Sequence, residues 1–299
     1  MRRLKIFLTV FIILFVCLPG CSKTKPSAPV VLTAAEEKFL KICREEYKLN
    51  ITTKRLKNTY WIYVTTPESL FDFESENASF KKPGLKFKQR FSVLFTDGKF
   101  EKPSFHFEYD IIDKKKSPEG YGYKTSYSKQ YSKIHNNIFT AVAGAFLDVD
   151  PGSTPKLPDF FVTVVADITR GIEAQGTFYI RDFKRYMSGD LPHEEYIKRY
   201  LSKTKGDTAI INDKSGAHLD YKETEWPQFN SEQILNRMAF QFAQSDFPPQ
   251  GSAEDAILKI IADTTRYYQF DDFDSIRLNN LRTATEYLFD KKQLATFAQ

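Results

Sequence analysis

The spacing of apolar and polar positions divides the chain into a short N-terminal apolar run and a long patterned remainder. Ile6 to Leu18 is apolar apart from Thr9. Arg2, Arg3 and Lys5 precede it, and polar residues begin directly after Cys21. A membrane span needs about 20 apolar residues, so a positively started run of this length reads as a secretory signal. Residues 22–33, SKTKPSAPVVLT, have no helical period and are rich in small, polar and Pro residues, which predicts a tether.

The folded region is expected from residue 34 onward. Thr33 with Glu36 forms a capping-box pattern. The apolar positions 35, 39, 42 and 43 then share one face of a helix to about Lys48. Strand formers dominate residues 51–65, which Pro67 ends. Phe87, Phe91, Val93 and Phe95 alternate within a strand over 85–96. Thr96-Asp97-Gly98-Lys99 supplies a turn, and Phe105, Phe107, Tyr109 and Ile111 answer from a strand over 103–112. Tyr127, Tyr131, Ile134, Ile138, Val142 and Ala145 follow a 3.6-residue period, which predicts a helix over 122–147. The nearly continuous apolar run Phe160–Ala166 predicts a strand over 159–168 buried on both faces, with its return at 172–180.

From Asp182 the pattern turns mostly helical. Helices are expected at 182–188 and 192–203, from Asn230 or Ser231 to about Ser245, and from Ser252 to about Tyr268. Residues 204–227 are polar and irregular, and a possible sub-boundary lies near 205–229. In the tail, Leu281, Tyr287, Leu288 and Leu294 are candidates to dock on the core. Strands joined by hairpins, with helices between and after them, argue for an α+β class with a largely antiparallel sheet rather than a doubly wound one.

The end of the apolar run carries a more specific pattern. Leu18, Gly20 and Cys21 stand at the positions of a Leu-x-Gly-Cys motif. This ending resembles the lipobox of bacterial lipoproteins, a resemblance confined to residues 1–21, with Pro19 where a small or aliphatic residue is usual. The resemblance implies that residues 1–20 are removed and that Cys21 becomes the lipidated first residue. It also implies anchoring in the cell envelope by two or three acyl chains. Ser22 after the cysteine implies the outer membrane, facing the periplasm, where the organism has one. Two or more chains are what stable attachment takes.

Composition changes this picture little. The formal charge of +5 falls to +2 once Arg2, Arg3 and Lys5 leave, which argues against a nucleic-acid partner. With 27 Phe and 16 Tyr the remainder has ample material for a core. Cys17 leaves with the signal and Cys21 is consumed by lipid. Cys43 is then left without a disulfide partner, and it is read as a buried small hydrophobe.

Catalytic motifs are thin. His106, His135, His193 and His218 lack the paired spacing of a metal site, so surface or packing roles are expected for the first three and no metal or cofactor is expected. Ser126-Tyr127-Ser128-Lys129 and Lys214-Ser215-Gly216 mimic two boxes of penicillin-binding proteins. The only middle element, Ser75-Glu76-Asn77, precedes both, which is the wrong order. The chemically most varied stretch is residues 206–225, where Asp207, Asp213, His218, Asp220 and Glu223 could gather. A histidine with carboxylates is the equipment of a general base, so His218, Asp213 and Asp220 are the site candidates.

The reading that follows is a lipid-anchored envelope protein with an α+β domain over 34–299 that binds or scaffolds something, and that is more a binding module than an enzyme. Its expected partners are the membrane, through the lipid, and an envelope protein or ligand. The alternatives are an envelope hydrolase using the 206–225 loop, and a carrier holding a small ligand in an aromatic-lined cleft between sheet and helices.

Overall fold

The computed structural model describes residues 32–73, 79–81, 85–89, 95–96, 99–100, 104–111, 119–121, 125–147, 156–242 and 252–297. Leu18, Gly20 and Cys21 lie outside the described residues, as do Asp97 and Gly98 of the expected turn. In chain order the helices are α1 (Ala34–Lys41), α2 (Lys129–Val142), α3 (Ile180–Met187), α4 (His193–Arg199), α5 (Trp226–Phe242), α6 (Ala253–Tyr267) and α7 (Lys291–Ala295). A wider turn continues α1 over Ile42–Glu46 and α2 over Ala143–Leu147. The strands are β1 (Ile51–Leu56), β2 (Thr59–Thr66), β3 (Phe71–Phe73), β4 (Ser79–Lys81), β5 (Leu85–Gln89), β6 (Phe95–Thr96), β7 (Lys99–Phe100), β8 (Phe105–Ile111), β9 (Glu119–Tyr121), β10 (Thr125–Tyr127), β11 (Phe160–Asp167), β12 (Ile172–Tyr179), β13 (Leu201–Gly206), β14 (Ser275–Asn280) and β15 (Thr285–Asp290).

Two sheets organise the domain. The larger has the order β1-β2-β11-β12-β13, and the smaller β15-β14-β8-β5. Pairing is antiparallel except where β2 meets β11 and β8 meets β14. The α+β class with a largely antiparallel sheet is therefore what the chain forms.

Strand alternation splits the large sheet into two apolar faces. On one, Tyr60, Phe161 and Phe178 pack with Phe39 of α1 and Phe146 after α2. On the other, Trp61, Tyr63, Val162, Val164 and Ala166 meet Ile210, Leu219 and Tyr221 from the segment after β13. A polar connection rather than a helix covers this second face. In the smaller sheet, Phe105, Phe107, Tyr109, Ile276 and Leu278 bury against Ile234 and Met238 of α5 and Ile257 and Ile261 of α6.

Several elements differ from their expected form. The stretch 51–65 is two strands, because Lys57 turns the chain at φ 45° and Ile51 pairs with Val64. The helix expected over 122–147 begins only at Lys129. Ser128 caps it by accepting from the Tyr131 amide, and Thr125–Tyr127 instead pairs with Phe71–Phe73. The helix expected over 192–203 ends at Arg199, where the chain becomes β13 and pairs with β12. Asn230 and Ser231 do not cap α5 but lie buried inside it, four and five residues past its start at Trp226. The half from Asp182 holds α4 to α7 but also three strands, and the tail is a hairpin on the smaller sheet. Of the four tail residues expected to dock, Leu294 is buried, while Leu281, Tyr287 and Leu288 are exposed. The antiparallel pairing expected within 85–112 is present, with Leu85 opposite Ile111 and Thr96 opposite Lys99. Cys43 is wholly buried, and burial pushes its thiol up to about 12.

Candidate functional site

Residues 207–225 form a strap across the Trp61–Tyr63 face of the large sheet. Asp207 starts it by accepting from the Ala209 amide, which caps a single tight helical turn, Thr208–Ile210. Asp213 then organises the centre. Its carboxylate accepts from the Ser215 and Gly216 amides and the Ser215 hydroxyl through one oxygen, and from the His218 amide through the other. Gly216 has φ +76°, and a Cβ there would stand 2.5 Å from the Tyr221 hydroxyl, so only glycine fits. The Tyr63 hydroxyl donates to the Asp213 carbonyl at 2.6 Å, the Trp61 indole N–H to the Lys222 carbonyl at 2.8 Å, and the Thr224 amide to the Thr59 hydroxyl at 2.7 Å. The strap is thus fastened to β2 along its length.

His218 sits at its centre. Nδ1 lies 2.6 Å from Asp213 Oδ2, and Nε2 lies 2.7 Å from Glu173 Oε2 on β12. The His218 and Glu173 side chains are each only 4% exposed. Burial opposes the imidazolium charge, but the hydrogen bonds and charges of Glu173 and Asp213 outweigh it and raise the His218 pKa above its ordinary value. Asp213 loses some ionisation to burial, yet the donors around it hold its carboxyl well below the usual carboxylate range. With both carboxylates ionised, the two short contacts are satisfied only by an imidazole that carries both protons. Such a ring has no lone pair with which to accept a proton from a substrate.

Of the expected site residues, His218 and Asp213 therefore meet, but as a clamp. Asp220 does not join them. Its side chain is 77% exposed and pairs with Lys222 at 2.5 Å. Asp207 pairs with Lys205 and Glu223 with Lys57, both at the surface. The third member of the clamp, Glu173, was missed by sequence reasoning. It lies 45 residues from His218, and only the strand alternation of 172–180 places it on the strap face.

A second constellation lies on the opposite face of the large sheet, between α2, α3 and α4. It is a cleft of about 360 Å³. The α2 wall carries His135 and Phe139, one helical turn apart and stacked at 4.3 Å. Beyond the cleft, Tyr131 of α2 stacks on Tyr127 of β10 at 4.2 Å. Phe183 and Tyr186 line the cleft from α3, and His193 and Tyr196 from α4. Tyr186 and Tyr196 are stacked at 4.4 Å within 5° of parallel. At the end of α4, Tyr200 closes the wall, its hydroxyl 3.2 Å from His135 Nε2. Tyr200 reaches this place because residue 176 is glycine, where a Cβ would lie 1.6 Å from its hydroxyl oxygen. Burial pushes the His135 imidazole down to about 4, so the ring is neutral near pH 7. Met187 and Ile197 are 52% and 42% exposed and also line the cleft.

His135 and His193, which the sequence alone marks only as packing or surface residues, are thus brought together by this cleft. The signal that could have found it is the Tyr127-Tyr131-His135-Phe139 series, one flat ring every four residues. Among the described residues no cluster of His, Cys, Asp and Glu could hold a metal ion, and no helix is long and apolar enough to cross a membrane. Compared with models of protein families, with curated proteins and with solved structures, the chain finds no match in any of the three.

Proposed function

We propose that this protein is a lipid-anchored cell-envelope binding module that holds a small apolar molecule in the cleft between α2, α3 and α4. The observation that carries this reading is the cleft itself: concave, walled by stacked aromatic rings, and of the size of small-ligand sites. A titratable side chain with a strongly displaced pKa, His135, stands in its wall, as is common where ligands bind. Location rests on the N-terminal pattern, with Cys21 as the lipidated residue and residues 22–33 as the tether. The hydrolase alternative loses its support because both nitrogens of His218 face carboxylates.

The test is to purify the wild type and Thr140→Trp from native envelopes and compare their organic extracts by mass spectrometry. Thr140 is exposed on α2 and lines the cleft, so tryptophan there fills the space without disturbing the core. A compound present in the wild-type extract and missing from the variant is the expected result. Identical extracts would sink the reading.

A further inference from the structure

We infer that the molecule this cleft takes is uncharged and built around a flat ring, in preference to an ionised ligand or an open alkyl chain. The inference rests on the ligand-binding reading above and names the ligand class.

Charge is the first argument. Twelve side chains line the cleft and none is Asp, Glu, Lys or Arg. The imidazole of His135 is held neutral by burial and bonded to the Tyr200 hydroxyl, so it offers no counter-ion near pH 7. His193, the other imidazole of the lining, stands at the exposed side with Nδ1 3.2 Å from the Tyr186 hydroxyl. A carboxylate or ammonium entering would give up its hydration with no Asp, Glu, Lys or Arg in the lining to meet it, which is far costlier than moving a neutral polar group.

Shape is the second argument. Aromatic faces prefer offset-stacked or edge-on partners with ring centroids roughly 4.5–7 Å apart. The cleft presents them from two directions: the His135–Phe139 stack from α2, and the Tyr186–Tyr196 stack from α3 and α4. Phe183 lies edge-on to Phe139 at 5.1 Å and at 87° between the planes, joining the two walls. Flat walls at fixed angles suit a rigid ring. A flexible chain loses its internal freedom on entry and gains no stacking. The exposed Met187 adds a side chain that adapts to the edge of what enters.

The experiment titrates the delipidated full-length mature chain with 2-naphthol, 2-naphthoate and 1-decanol by calorimetry near pH 7, in the wild type and in Thr140→Trp. The expected result is saturable binding of 2-naphthol, at least tenfold weaker binding of 2-naphthoate and of 1-decanol, and loss of 2-naphthol binding in the variant with its melting temperature unchanged. If 2-naphthoate binds as tightly as 2-naphthol, the uncharged class is wrong while the cleft remains a ligand site. If 1-decanol binds as tightly, the flat-ring class is wrong in the same way. If no probe binds, or if Thr140→Trp binds 2-naphthol like the wild type, the cleft is not the site, and both the inference and the proposed function fall.

Discussion

Removing the imidazole of His218 would leave Glu173 and Asp213 in the same buried region with no proton donor between them. Losing one partner of a buried charge cluster costs on the order of 3–5 kcal/mol, because the remaining charge stays uncompensated. We expect His218→Gln to lose stability on that scale in urea unfolding at pH 5.5. The pH dependence follows from the directions of the shifts. The folded-state pKa of His218 is raised above 6.5, so its contribution is full below about pH 6.5 and fades as the pH rises through the folded value. The carboxyl of Asp213 is depressed from 3.8, so its contribution is full above that value and fades in acid. Above pH 9.0 an unfolded chain also ionises Cys43, whose folded thiol keeps its proton to about pH 12, and this adds a separate loss of stability. Burial of His135, which pushes its imidazole down to about 4, adds stability over the same range in both proteins, so between pH 5.5 and 8.5 the wild type should lose stability relative to His218→Gln. Parallel curves would mean that His218 does not carry the clamp. His218 and Asp213 were legible as chemistry because they share one short loop. Glu173 was not, since a glutamate in a strand next to a turn usually faces water.

Helices α3 to α6 are held by one buried guanidinium. Arg199 donates to Asp182 at 2.7 Å and to Glu195 at 2.9 Å. Arg237 shares Glu195, and the Tyr268 hydroxyl donates to Asp182. Tyr267 receives Arg199 and Arg237 over its ring, and the Gln233 amide bonds the Arg199 carbonyl at 2.6 Å. Because α3 and α4 are walls of the cleft, this network ties two of those walls together. We expect Arg199→Leu to cost about 3–5 kcal/mol, since it strands the Asp182 carboxylate in the interior. Arg199→Leu with Asp182→Leu should recover much of that loss, because a buried ion pair is often replaceable by apolar side chains of similar volume. A double variant no more stable than Arg199→Leu alone would show that the network gives more than mutual charge compensation. At this scale the sequence was a fair guide to strands and a poorer guide to where helices stop. Apolar continuity marked β11 to within a residue, because its run of apolar and β-branched residues is bounded by turns, and β12 followed as its return after the tight turn at Gly171. Periodicity carried the helix of 192–203 through Leu201, because the choice between helix and edge strand after Tyr200 is made by pairing with β12, which no local pattern records. The cleft was equally hidden, since three separate helices supply its rings.

For the molecule as a whole, the proposed location hangs on a single residue outside the described region. Cys21→Ala should move the protein from the membrane fraction to the soluble fraction after cell disruption, with unfolding of the domain unchanged. Equal fractionation of the two forms would remove the lipid anchor and the localisation built on it. The α+β class was legible because hairpins announce antiparallel sheets, whereas the two parallel contacts were not, as they join strands distant in sequence. Those contacts bear on how the chain is made. In the large sheet, β2 has only β1 beside it until residues 67–159 have been produced and β11 arrives. In the smaller sheet, β8 waits still longer, for β14 near the C-terminus. Pairing across such separations closes long loops before any contact rewards them, which makes assembly slow. A ribosome-bound fragment ending anywhere before β14 thus lacks a strand of the smaller sheet, so that sheet is completed only when nearly all of the chain has been synthesised. For a chain proposed to be exported, that delay leaves the smaller sheet unformed while the polypeptide is still being threaded across a membrane.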